Sequence, residues 1–106
     1  MELKDFLRIA EYGNANWKGS FTTDEIKENA SIYYADFQWS KENETISETI
    51  KFLAKNLAED LKGIPETDAD YEQVKQWLYQ MAEELGLIDM DCNDYLDTDE
   101  WLADFI

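Results

Sequence analysis

Two apolar repeats at helical spacing, divided by a breaker, constrain this chain more than any other feature. Ile46, Ile50, Leu53, Leu57 and Leu61 recur at i, i+4, i+7, i+11 and i+15, and Tyr71, Val74, Leu78, Met81 and Leu85 at i, i+3, i+7, i+10 and i+14. That spacing lines one face of a helix with 3.6 residues per turn. Gly63 and Pro65 stop the first repeat and Gly86 the second, as residues that cannot prolong a helix comfortably. Thr45 with Glu48 has the form of a capping box ahead of the first helix, and Thr67 or Asp68 can cap the second. Each helix carries one apolar stripe that must be buried against another element.

The first half of the chain reads less uniformly. Leu3, Phe6, Leu7 and Ala10 share a helical face, which predicts a short helix over residues 2–12. Gly13, Asn14, Asn16 and Gly19 predict a loop. Thr22 with Glu25 is a second capping box and opens a short helix to about Ala30. Over residues 31–39 alternation places Tyr33, Ala35, Phe37 and Trp39 on one side, and the aromatic content predicts a strand, with residues 17–22 as its partner. Asp97, Thr98 and Asp99 can start a final helical turn through Trp101, Leu102 and Phe105. The expected fold is mainly α, or α+β, with three to four helices and a small aromatic-rich β-hairpin. The 106 residues suit a single compact acidic domain, 1–106. An apolar share of 44%, with 4 Trp, 6 Tyr and 5 Phe, excludes a disordered acidic tail.

Charge narrows the function. Against 9 Lys and Arg the chain carries 25 Asp and Glu, a net charge of −16. Residues 1–62 hold 12 acids and 8 bases, whereas residues 63–106 hold 13 acids and a single base, Lys75. Direct binding to nucleic acid or to an anionic membrane is therefore not expected. No run approaches the ~18 apolar residues of a membrane span, and the first residues lack a basic region followed by an apolar run. With one cysteine, Cys92, no internal disulfide is possible, and a cytoplasmic location is the expectation. The absence of His removes the usual general base and every Ser-His or Cys-His pair, and no phosphate-cradling glycine loop is present. Catalysis is not expected, and neither is a cofactor.

One stretch has metal-ligand spacing. Residues 89–100 place Asp89, Asp91, Asn93, Tyr95 (through its carbonyl), Asp97 and Glu100 at positions 1, 3, 5, 7, 9 and 12 of a calcium loop. Leu96 stands at the apolar position 8, and Leu85 and Ile88 precede the loop as residues of an entering helix would. This stretch resembles the EF-hand family over about 20 residues. It departs from the family in having Asp94 where Gly makes the sharp turn, and in leaving fewer than two turns for an exiting helix. The resemblance implies calcium as an alternative ligand. Residues 14–25 offer a second such loop that could pair with it structurally, but Lys18 stands at its position 5 and excludes the ion. If residues 89–100 hold calcium, the ion raises the melting temperature by mass action on the folded state, and Glu100→Gln removes that rise. Unchanged melting at millimolar calcium, near the weak end of known sites, eliminates the ligand.

The leading expectation is an acidic protein-binding inhibitor or adaptor. Carboxylates on a rigid surface can imitate the phosphates that nucleic-acid-binding proteins meet. In size and charge the chain resembles the acidic inhibitors of phages and mobile elements, the anti-CRISPR and antirestriction proteins that mimic DNA. That resemblance implies a basic nucleic-acid-binding protein as partner. The candidate partner-binding residues are Glu66, Asp68, Asp70, Glu72, Glu83, Glu84, Asp94, Tyr95, Asp97, Asp99 and Trp101, with the two aromatics as anchors.

Overall fold

A computed structural model describes residues 1–17 and 19–86. Four helices follow one another: α1 (Leu3–Asn16), α2 (Thr23–Asn43), α3 (Glu48–Gly63) and α4 (Ala69–Glu84). No strand occurs among the described residues: residues 31–39 lie inside a continuous α2, so the helix expected to end at about Ala30 runs on to Asn43, and residues 19–22 belong to the connection before it and not to a partner strand. The physical reason is visible in the burial. Ala30, Phe37 and Ser40 are buried and Tyr33 and Tyr34 half-buried, a period of three to four residues rather than two. The aromatic alternation at 33, 35, 37 and 39 runs across the faces of this helix, leaving Ala35 exposed and Trp39 49% exposed. Tertiary packing decides between the two readings, because aromatic β-propensity reflects packing more than any backbone preference.

The caps follow local chemistry. Thr22 Oγ1 accepts from the Glu25 amide at 3.3 Å, as the capping box predicts. At α3 the structure corrects the expected cap. Thr45 instead donates its hydroxyl to the Asn43 carbonyl at 3.3 Å, and Ser47 caps by accepting from the Ile50 amide at 3.2 Å. Glu44, at φ 53°, turns the chain out of α2 in the left-handed region. The corner is fixed from α2: Ser40 Oγ, buried, accepts from the Ser47 amide at 3.1 Å, and the Ser47 hydroxyl donates to Asp36. Asp68 caps α4, accepting from the Asp70 amide at 2.9 Å. Gly86, at φ 78°, follows the end of that helix.

The helix α1 outruns its expected end at residue 12. Gly13 lies buried inside it, and a Cβ there would stand 2.5 Å from the Trp17 ring. Gly13 thus lets the indole lie against the helix, a packing gain that outweighs glycine's poor helix propensity of about 1 kcal/mol.

The helices run alternately up and down. Phe6 near the start of α1 meets Phe37 late in α2 with ring centroids 5.1 Å apart, and meets Tyr34 edge-on at 5.5 Å. From α3 the core receives Ile50, Leu53, Ala54, Leu57, Ala58 and Leu61, and from α4 Val74, Trp77, Leu78, Met81 and Ala82. Both apolar stripes therefore fall where the repeats place them. At the far end of α4, Glu84 is joined to Lys41 Nζ at 3.2 Å and to the Met1 amino group. No helix among the described residues is long and apolar enough to cross a membrane.

Candidate functional site

Acids and aromatics converge where the C-terminal end of α1 meets the corner between α3 and α4. Tyr12 on α1 packs edge-on against Trp17 and against Trp77 of α4, each at 5.9 Å between centroids. The Trp17 indole N–H donates to the Asp60 carboxylate of α3. Burial first, then the charges of Asp60, Asp70 and Asp68 in that order, hold the Tyr12 phenol above its ordinary pKa of 10.0. Three carboxylates from two helices and a cap thus place one negative field across an aromatic patch.

Titration follows from this arrangement. Below pH 10 Tyr12 is neutral in the folded and unfolded chain alike, so its contribution to stability is intact. As pH rises above that value the unfolded chain gives up its proton first, and stability is lost. Tyr79, also raised by burial and by Tyr71, acts in the same direction. The melting temperature is accordingly expected to fall above about pH 10, and less steeply in Tyr12→Phe. Parallel alkaline profiles for the two proteins would contradict the placement of the phenol.

The expected partner-binding residues are distributed unevenly. Glu66 in the α3–α4 turn is exposed, as are Asp68, Asp70 and Glu72. Glu66 edges an open hollow of about 390 Å³ shared with Lys62, Tyr71 and Tyr79. Glu83 and Glu84 stand at the opposite end of α4, a helix of 16 residues and so roughly 24 Å long. Glu84 is engaged within the molecule by Lys41, and its carboxylate is largely covered, with 19% of the side chain exposed. Lys75, the one base beyond residue 62, lies over the Tyr71 and Tyr79 rings at 6.0 and 5.8 Å. Asp94, Tyr95, Asp97, Asp99 and Trp101 lie outside the described residues, as does the calcium loop of Asp89, Asp91, Asn93, Tyr95, Asp97 and Glu100.

The second calcium-type loop does not form as one. Residues 14–16 belong to α1. Asn14, its first ligand position, instead clamps Phe21, accepting from its amide at 3.0 Å and donating to its carbonyl at 3.3 Å. Among the described residues no group of three or more His, Cys, Asp or Glu is placed to hold a metal ion.

Beside this cluster lies an apolar hollow of about 110 Å³ between α1, α2 and α3, walled by Gly13, Trp17, Phe21, Tyr33, Phe52 and Leu53 among others. Its rim residues Phe21 and Phe52 are 48% and 61% exposed. Sequence reading missed this feature and the roles of Tyr12, Trp17 and Asp60. A signal for Phe52 was available, since it falls off the stripe of Ile50, Leu53 and Leu57 and is left facing out. The pairing of Trp17 with Asp60, 43 residues apart, leaves no trace in the sequence.

Among the described residues, fold and site together define an α-helical protein of four helices with an acidic, aromatic corner. No protein-family model, no curated protein and no solved structure matches the chain.

Proposed function

We propose that this protein is an acidic binding module that covers the basic surface of a nucleic-acid-binding protein, acting by occlusion and not by catalysis. The observation that carries the reading is the acidic corner itself, where the Trp17 indole N–H meets Asp60 and where, after burial, the charges of Asp60, Asp70 and Asp68 all hold the Tyr12 phenol up. Asp68 and Asp70 are exposed, beside exposed Glu66 and Glu72, in a chain of net charge −16. Lys and Arg side chains that ordinarily hold phosphates would meet carboxylates there instead. Such pairs raise the rate of encounter and weaken as salt rises. DNA mimicry of the anti-CRISPR or antirestriction kind is the specific form proposed.

The test uses the immobilised chain and a fraction of proteins eluted from duplex-DNA resin. Retained protein should be released by duplex DNA and by salt. Reversing Glu66, Asp70 and Glu72 together to Lys is expected to slow its association about tenfold or more. Reversing Glu11, Glu28 and Glu42, all exposed elsewhere, should change it by less than about twofold. Equal effects of the two triple reversals, or retention that duplex DNA does not relieve, would end this reading.

A further inference from the structure

The apolar hollow beside the acidic corner is too small for an ordinary ligand. Sites for drug-sized molecules run to roughly 300–1,000 Å³, whereas this one measures about 110 Å³. An enclosed dry cavity of ~150 Å³ accepts benzene, so this smaller hollow, open on one side, suits the end of a single aliphatic or aromatic side chain entering from outside. Trp17 is the wall shared with the acidic corner, because its ring lines the hollow while its N–H bonds Asp60. On α3, Phe52 and Asp60 stand eight residues apart on one stripe, about 12 Å along the axis. An extended chain covers that span in about four residues.

We propose that this hollow receives one large apolar side chain from a basic segment of the partner protein, whose Arg or Lys side chains lie a few residues away against Asp60, Asp68 and Asp70. The inference rests on the acidic-module reading above and adds the anchor that gives such a surface selectivity. Charge complementarity fixes the occupant. A second copy of the chain would bring another −16 to the same corner, and like charges oppose that docking. A hydrophobic side chain seated beside paired charges is also the composition of an interface hot spot.

The experiment titrates the isotope-labelled full chain with three short synthetic peptides and follows its amide resonances. The first carries one Phe, a three-residue Gly-Ser spacer and two Arg; the second replaces Phe by Ala; the third replaces both Arg by Gln. The first peptide is expected to shift Gly13, Phe21 and Leu53 together with Asp60, Asp68 and Asp70. The other two should bind about tenfold more weakly or worse, the loss expected when a buried aromatic or a charge-assisted contact is removed. Phe52→Ser should weaken the first peptide alike while leaving melting unchanged, since Phe52 is 61% exposed. Asp68→Asn with Asp70→Asn should weaken it too, and Asn preserves the cap of α4. Equal binding of the Phe and Ala peptides overturns the anchor and leaves the acidic reading standing. Equal binding of the Arg and Gln peptides overturns both. Absence of shifts at millimolar peptide, or sedimentation revealing a dimer that Phe52→Ser dissolves, also overturns the anchor.

Discussion

Phe37→Ala is expected to remove about 3–5 kcal/mol of folding stability, the usual range for truncating a buried aromatic. Phe37 is 0% exposed and packs at 5.1 Å from Phe6, so it joins α2 to α1 at the centre of the molecule. A small domain holds only about 5–15 kcal/mol in all, and a loss of this size lowers the melting temperature by roughly 12 °C or more. Leu78→Ala, also at 0% exposure, gives the matching test for the α3–α4 half, with about 2–5 kcal/mol expected. Denaturant unfolding of the two variants checks both numbers. Losses below about 0.5 kcal/mol, the range of ordinary surface changes, would place these side chains outside the core.

Ala35→Pro separates a continuous α2 from a strand. Ala35 is exposed in the interior of α2, so proline there removes a helical hydrogen bond and clashes with the preceding turn without disturbing any core side chain. A loss of about 3 kcal/mol or more is expected. Ala35→Gly costs only about 1 kcal/mol, because it keeps the amide and adds backbone freedom. On an edge strand the ordering would differ, since proline is tolerated where the N–H faces solvent. A proline variant no less stable than the glycine variant would therefore argue for an extended segment. Far-ultraviolet circular dichroism at matched temperature gives a second measure, with helical signal lost over the length of α2.

What the sequence determined by itself is the second half of the described chain. The stripes from Ile50 to Leu61 and from Val74 to Met81, the breakers Gly63 and Pro65, and the Asp68 cap are local patterns, and local physics sufficed to place α3 and α4. The first half required tertiary structure. Residues 31–39 satisfy period two and period 3.6 at once, and burial of Phe37 against Phe6 of α1, with Ala30 and Ser40 buried at helical spacing from it, selected the helix. Gly13 reads as a breaker until Trp17 lies across it. Ser47 displaced Thr45 as the α3 cap because Ser40 and Asp36, on the preceding helix, hold it in place. The candidate site divides along the same line. Composition alone announced the excess of carboxylates. Which of them act together was decided by packing, because the charges of Asp60, Asp70 and Asp68 all reach Tyr12 while Glu83 and Glu84 are carried to the other end of α4. Charge is a property of residues and can be counted along a chain, whereas an electrostatic field depends on distances that exist only once helices far apart in sequence have packed.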